Sequence, residues 1–386
     1  MTDMWRDFCE RIAAVGDRIL DDDFPQDAAD RAEGVRHLAT QVACWLTYAT
    51  GYSDPERPAF FRSSDPVFLW GGPNVDQVAR RARIDGDGVY RISGRMGACE
   101  EFVMQVKLGA TQSGGADVAT EISASQLGLG PGDDFEMLLS AEPQLGTWFA
   151  LDPDASFVHV RDYYFDWQPR EPATFVIERL DTQGTSAALP GPERVAAMLD
   201  DAAREVEHSL VFWRDYQVRM RAAADDVNRF GEPAFIGRGV RDIQYSHAFV
   251  VVGSDDALVV ELDPADATLW DVMLYNRTWY AALDFATRVT SLNHRQVAVD
   301  ADGRVRIVIA AFDPGVANWL DTQGRAEVLA TIRWFRLPAT PTVRAALVPR
   351  ARLDDLLPSG TTRFDADARR EQIRARAAHT AWRYRT

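Results

Sequence analysis

The chain has 386 residues, 46% of them apolar, enough to fill a core in each of two domains. Acidic residues number 58 against 42 basic ones, and the formal charge of −16 disfavours broad contact with nucleic acid or an anionic membrane. Only one lysine occurs, Lys107, and no G-x-x-x-x-G-K-[ST] run holds it, which excludes nucleotide hydrolysis of the P-loop kind.

The opening stretch MTDMWRDFCERIAAVGDRILDDDF scatters charges throughout, so neither a signal peptide nor a membrane span is expected there. Cys9, Cys44 and Cys99 are widely spaced and never form C-x-x-C, which predicts reduced thiols and a cytoplasmic location. Trp5, Phe8, Ile12, Val15 and Ile19 recur at helical spacing, as do Val35, Leu38, Val42 and Leu46, giving N-terminal helices over residues 1–60. Residues 61–185 change to short β-like runs and form a first β-sandwich region, with Asp85-Gly86 and Asp87-Gly88 expected to close a hairpin. The glycines Gly128, Gly130 and Gly132 read as a turn, because no dinucleotide spacing follows them. Residues 186–235 form a helical connector whose stripe Val195, Met198, Leu199, Ala202, Val206, Leu210 and Trp213 is suited to core packing.

A second β unit, jelly-roll-like, covers residues 236–340. Asp302-Gly303 is expected to join RQVAVDA to RVRIVIA as a hairpin, and Val328, Ala330, Ile332 and Trp334 alternate toward one face. Residues 341–386 are a tail ending in an Arg-rich surface helix from about Asp365, where Arg369, Arg370, Arg374, Arg376, Arg383 and Arg385 leave room for a local basic patch. The predicted fold is mainly β with helical additions (α+β). Two jelly-roll-like β-sandwich units are joined by a long helical segment and preceded by helices.

The run ALVVELDPADATLWDVMLYNRTW, followed by TSLNHRQVAVDADGRVRIVIAAFDPGVANWLDTQG and IRWF, resembles the bacterial domain of unknown function 1214 over about residues 236–340. Upstream, GGPNVDQ, YRISG and VRDYYFDW are similar to the β region that often precedes that domain. GGPNVDQ departs from the family's N-P-D spacing by carrying Val75 in place of proline, with Asn74 and Asp76 in register. The resemblance implies paired jelly-roll-like units and no particular activity. It points to Asn74, Asp76, Arg161, Tyr163, Asp166, Asn276, Asn293, Asn318 and Asp321.

The stretch from Trp270 to Asp321 interleaves Trp270, Trp279 and Trp319 with Tyr275, Asn276, Arg288, Asn293, His294 and Asn318, a composition suited to stacking on a ligand and orienting it. His294 is the first candidate for acid–base work, with Asp166 and Asp76 beside it as catalytic candidates. Ligand contacts are expected from Asn74, Arg161, Tyr163, Tyr275, Asn276, Asn293, Asn318 and Trp319. Arg161 on its strand needs a partner, which is either a structural ion pair or a ligand carboxylate. Asn74, Asp76, Asp313 and Asp321 also suit simple Asx turns. His247 and His294 would make a metal site only with Glu261 or Asp313. No tight ligand spacing supports one, so neither metal nor cofactor is expected. No G-x-S-x-G is present either, which disfavours a serine-elbow hydrolase.

The expected function is that of a cytoplasmic bacterial enzyme acting by acid–base chemistry in a β-lined pocket on a small aromatic, terpenoid or sugar-like molecule. The alternative is a non-catalytic small-molecule-binding or assembly protein. A small-molecule ligand is the expected partner, without nucleic acid or membrane, and a homo-oligomer would cover exposed sheet edges.

Overall fold

Among the described residues nine strands follow the opening helices, and nine more follow the long central helix. The structure, a computed structural model, describes residues 2–21, 24, 27–110, 113–114, 117–224, 226–236, 239–264, 267 and 269–384; Arg385 lies outside them. The chain divides into two compact units. The first comprises Met1–Gly71, Gln77–Tyr164 and Glu171–Tyr216; the second comprises Gly72–Asp76, Phe165–Arg170 and Gln217–Thr386.

In the first unit, helices α1 (Thr2–Asp17) and α2 (Ala28–Gly51) precede the strands. Asp27 caps α2 by accepting the backbone N–H of Ala29 at 2.6 Å. The face of α2 that is buried differs from the expected apolar line: Val35 is exposed, while His37, Gln41, Cys44, Trp45 and Ala49 are buried. One polar contact on this face is made internally through Gln41 Oε1, although Gln41 Nε2 has no partner among the described residues. The Trp45 Nε1–H is shared between Gln41 Oε1 at 3.2 Å and Ser209 Oγ at 3.0 Å. Ser209 belongs to helix α3 (Pro192–Ala223), which follows the first set of strands in sequence.

Those strands are β1 (Phe61–Ser64), β2 (Gln77–Arg83), β3 (Tyr90–Arg95), β4 (Glu101–Lys107), β5 (Val118–Ser123), β6 (Asp134–Ser140), β7 (Trp148–Ala150), β8 (Phe157–Tyr163) and β9 (Thr174–Arg179). They form a five-stranded sheet of order β1-β2-β8-β4-β5 and a four-stranded sheet of order β7-β6-β3-β9. Phe102 of the first sheet meets Phe135 and Phe175 of the second at centroid separations of 5.3 and 5.6 Å, so a ring cluster fills the space between them. The Asp85–Gly88 turn is present, but it leads from β2 in one sheet to β3 in the other and closes no hairpin. Turn chemistry is local, whereas strand pairing is set by which faces must be buried.

The second unit has β10 (Ala234–Phe235), β11 (Ile243–Val251), β12 (Asp256–Leu262), β13 (Leu269–Asn276), β14 (Ser291–Asn293), β15 (Val305–Ala310), β16 (Trp319–Asp321), β17 (Glu327–Phe335) and β18 (Val343–Pro349), then helix α4 (Ala366–Arg383). Its sheets have the orders β10-β11-β17-β13-β14 and β16-β15-β12-β18. The plan of the first unit is therefore repeated strand for strand, down to its one parallel pair, β6 with β7, matched by β15 with β16. Val328, Ala330, Ile332 and Trp334 do face the core between these sheets, together with Trp270, Val272 and Leu274. The protein is mainly β with helical additions, built as two sandwich units.

Two local expectations are corrected. Asp302-Gly303 makes a turn in which the Asp300 N–H reaches Arg304 O at 2.8 Å, but residues 297–300 are not a strand. Asn318 instead holds this segment: its Oδ1 accepts from Ala298 N at 2.8 Å, and its Nδ2 donates to Ala298 O at 2.7 Å and Arg306 O at 3.0 Å. The Arg-rich helix α4 buries Arg369, Arg376 and Arg383, so a basic surface patch there is not formed by these residues. Long arginine stems pack while their forks find carbonyl and carboxylate acceptors.

The ring cluster gives a direct test of the first sandwich. Phe102→Ala is expected to cost about 3–5 kcal/mol in urea unfolding, whereas Leu145→Ala, at a fully exposed site, should stay within about 0.5 kcal/mol.

Candidate functional site

Strand β13 carries two jobs on its two faces. Trp270, Val272 and Leu274 point into the core, which leaves Asp271, Met273 and Tyr275 on the opposite face. Across from Asp271 on the central strand β17 sits Arg333, and both are buried. Their separation, Arg333 Nη1 to Asp271 Oδ1, is 3.5 Å, a long ion pair.

The segment Gly72–Asp76 lies on this face, and each of its residues is bonded to other parts of the second unit. Arg333 Nη2 donates to Gly72 O at 2.9 Å, and the Tyr275 hydroxyl donates to Pro73 O at 2.8 Å. Asn74 Nδ2 donates to Asp271 Oδ2 at 2.8 Å, while its Oδ1 accepts the Asp76 N–H at 2.8 Å. Arg383 Nη2 donates to Val75 O at 2.7 Å. Gly72 has φ +63°, and a Cβ there would lie 2.2 Å from the Tyr280 ring, so the close approach requires glycine.

Asp76 ends this segment in full burial. Its Oδ1 accepts from Trp167 Nε1 at 2.6 Å and from Asn293 Nδ2 at 2.7 Å, while its Oδ2 has no hydrogen-bond partner among the described residues. Trp167 is enclosed by one face of α4: the guanidinium carbons of Arg376 and Arg383 stand 4.2 and 5.0 Å from its ring, and His379 stacks on it at 5.0 Å. Arg376 itself donates to Phe285 O, Ser291 O and Ser291 Oγ.

Burial raises the Asp76 carboxyl above the ordinary range, against the hydrogen bonds from Asn293 and Trp167 and the charges of Arg383 and Arg376. Asp271 is likewise raised by burial and by the neighbouring Asp76 charge, to about 7, although Arg333 and Asn74 oppose the shift. The raised value is the one consistent with the long Arg333 contact. Burial also pulls Arg376 down to about 9, which leaves it cationic at neutral pH. The cluster therefore holds a carboxyl able to give or take a proton near neutrality, a second carboxyl with one unused oxygen, and amide donors that fix both.

Of the residues singled out from the sequence, Asn74, Asp76, Asn293 and Tyr275 meet here. His294 is next to them, its ring 5.0 Å from that of Phe165 and its backbone N–H on Trp270 O at 2.9 Å. The others lie elsewhere. Asp166 pairs with Arg170 at 3.3 Å on the surface. Asn276 closes an Asx turn, accepting from Thr278 N and Trp279 N at 2.7 and 2.8 Å. Trp319, whose Nε1 donates to Ala310 O, and Asn318 belong to the four-stranded sheet and its flanking loop. Asp321 accepts from Gln323 N and from Arg288, and Asp313 holds Arg369 at 2.9 Å. Arg161 and Tyr163 are in the first unit. His247 bonds Thr331 Oγ1 at 2.9 Å, and Glu261 is taken by Arg304 and Arg306. Among the described residues no group of three or more His, Cys, Asp or Glu is placed to hold a metal ion.

Sequence reasoning passed over Asp271, Arg333, Trp167, Arg376, His379 and Arg383. The first two had a readable signal, an acid and a base each set in an otherwise apolar strand. The α4 residues had none, since arginine-rich helices are usually solvated.

A family model described as a protein of unknown function, DUF1214, matches residues 254–339. A solved structure of an uncharacterised protein from Burkholderia cenocepacia is 31% identical, with a TM-score of 0.83, covering 91% of this chain and 98% of that one. The chain belongs to the DUF1214 family. A second solved structure, from Vibrio parahaemolyticus, is 13% identical with a TM-score of 0.47 over 81% of this chain and 98% of its own. No curated protein matches this DUF1214 member. No helix among the described residues is long and apolar enough to cross a membrane.

The pH dependence of stability tests the carboxyl cluster. A carboxyl raised in the folded state stabilises most below its ordinary value of ~4, and that contribution is lost as pH rises toward its folded value. For Asp271 the loss runs up to about 7. Buried His37, lowered to about 4, and His247 and His379, lowered to about 3, act in the opposite sense, because their contribution is lost as pH falls. Asp271→Asn keeps the histidines. The variant's stability, measured by urea unfolding from pH ~4 to ~7, is therefore expected to fall less with rising pH than that of the wild type. Parallel curves would contradict the assignment.

Proposed function

We propose that this protein is a bacterial cytoplasmic enzyme that performs acid–base chemistry on a small uncharged molecule, sugar-like or aromatic, with Asp271 and Asp76 as its proton-exchanging pair. The carrying observation is the juxtaposition, through Asn74, of a carboxyl raised to about 7 with a buried carboxyl whose Oδ2 has no partner. In this reading Asp271 enters the reaction protonated and acts as general acid, and Asp76 Oδ2 accepts a proton as general base. Asn74 and Asn293 hold the two carboxyl groups in place, and Trp167 Nε1 fixes Asp76 Oδ1. An uncharged substrate suits a site where a further charge would have to be stripped of water. The bacterial relative and the free cysteines Cys9, Cys44 and Cys99 support the assigned setting.

A second reading is favoured by one observation: Asn74, Asp76, Asp271 and Asn293 are each at most 7% exposed. Such a sealed network suits a latch that pins Gly72–Asp76 to its sheet in a non-catalytic binding or assembly protein.

Incubating wild type, Asp271→Asn and Asp76→Asn with a metabolite mixture and following depletion by mass spectrometry separates the two. The enzyme reading expects a compound consumed by the wild type and consumed about 10²–10⁴-fold more slowly by either variant while both remain folded. Turnover that survives both substitutions sinks the assignment. A change in unfolding free energy with no turnover in any of the three proteins favours the latch.

A further inference from the structure

The repeated strand order allows the two units to be compared position by position. The last residue of β8, Tyr163, pairs with Gln77 of β2 and Glu101 of β4. The last residue of β17, Phe335, pairs with Ile243 of β11 and Leu269 of β13. Counting back from these ends, Arg161 occupies in the first unit the register position that Arg333 occupies in the second. The flanking positions differ in one direction. Arg333 is paired across the sheet with Tyr245 and Asp271, and Asp271 in turn with Asn293. Arg161 is paired with Ala79 and Val103, and Val103 with Ser123. Tyr245 and Asn293 are matched by the smaller Ala79 and Ser123, and the built-in carboxylate is replaced by the isopropyl group of Val103.

The same face of the first unit is rich in cations. The paired rows place Arg81 beside His159, Gln105 beside His159, and Lys107 beside Phe157. Arg81 and Lys107 are buried, and the Arg81 guanidinium carbon lies 5.0, 5.4 and 4.7 Å from the rings of Trp45, Tyr48 and Phe157. Neither Arg81 nor Arg161 has an ion pair among the described residues: Arg161 Nη1 donates only to the neutral Gln105 Oε1, at 2.8 Å. Arg81 Nε and His159 Nε2 are buried without hydrogen-bond partners among the described residues. The acids acting on this side are Glu121, which accepts from Gln105 Nε2 at 2.5 Å, Asp117, whose charge acts on Lys107, Glu205, whose charge acts on Tyr48, and Asp65, whose charge acts on Cys44. Burial and the charges of Arg161, Arg81 and Lys107 hold His159 well below its ordinary value, so it is neutral and able to donate or accept a hydrogen bond.

We infer that the first unit binds a small organic carboxylate on this sheet face, its carboxylate supplying to Arg161 the countercharge that Asp271 supplies to Arg333, with Arg81 as second cation and the Trp45–Tyr48–Phe157 side receiving an apolar or aromatic body. Guanidinium groups at two points of a buried face match the planar carboxylate, and the aromatic rings supply stacking area. Arg161 and His159 are half-buried. This site shares no residue with the Asp76–Asp271 cluster and stands independently of the catalytic reading.

Benzoate is the probe, with acetate, inorganic phosphate and chloride compared at constant ionic strength. Because Lys107 is the only lysine, protein grown on ¹³Cε-lysine carries one side-chain signal next to the site. Benzoate is expected to raise the melting temperature of the wild type and move the Lys107 resonance, chloride to do neither, and Arg161→Gln to weaken benzoate at least about tenfold, the loss of one charge-assisted contact. Should Arg161→Gln fail to fold, the wild-type resonance still decides, because it must move with benzoate in a saturable manner. An unmoved signal and unchanged melting with both carboxylates overturn the inference, as does a response to phosphate alone or an Arg161→Gln protein that binds benzoate like the wild type.

Discussion

A guanidinium buried in the middle of a β-sheet sets the terms for the second unit. Arg333 stands on the central strand β17 with almost no exposure, and a charge in that position has to be surrounded by acceptors. One acceptor is Asp271 on the neighbouring strand. Another is the carbonyl of Gly72, and reaching it brings the whole Gly72–Asp76 segment onto the sheet. Once there, Asn74 completes Asp271, and Asp76 is carried into a position where Trp167 and Asn293 must satisfy it. Trp167 then needs cover, which the arginine and histidine face of α4 provides. Segments far apart in sequence are thereby tied into one polar cluster, and the titration of the carboxyl groups follows from how completely that cluster is dried.

The repeated topology gives this cluster a control within the same chain. Both five-stranded sheets carry an arginine at one register position of the central strand, yet the two solve its burial differently. In the second unit the countercharge is a side chain of the sheet itself. In the first no countercharge is built in: the acceptor is the neutral Gln105 amide, and Val103 stands at the position of Asp271. A shared backbone plan with different residues at matching positions is how one architecture comes to host different chemistry.

Much of this architecture is legible in the sequence, and the exceptions have physical causes. Alternation in β13 and β17 and the helical spacing of α1 and α3 follow from which side must be dry. The Asp85–Gly88 turn reads as a hairpin because its residues favour a turn whatever the next strand pairs with. Asn318 reads as a ligand group, but carbonyls of Ala298 and Arg306 exhaust its amide. Arg376 and Arg383 read as solvated, since nothing local announces that an indole from residue 167 will stack against them. Asp271 was visible as an acid within an apolar strand, and what hid its role was the need to know that Asp76, almost two hundred positions earlier, shares its surroundings. The repeat itself escapes inspection because strand order, rather than residue identity, is what the two units have in common.

The central claim is that a proton resides on the buried carboxyl pair near neutrality. Carboxyl-carbon NMR of aspartate-labelled protein, with Asp271→Asn and Asp76→Asn used to assign the two signals, tests this directly. The account predicts that the Asp271 signal shifts with pH around neutrality, about 7, well above the exposed aspartates. Two signals already in the ionised position at pH ~5, and flat above it, would contradict the account.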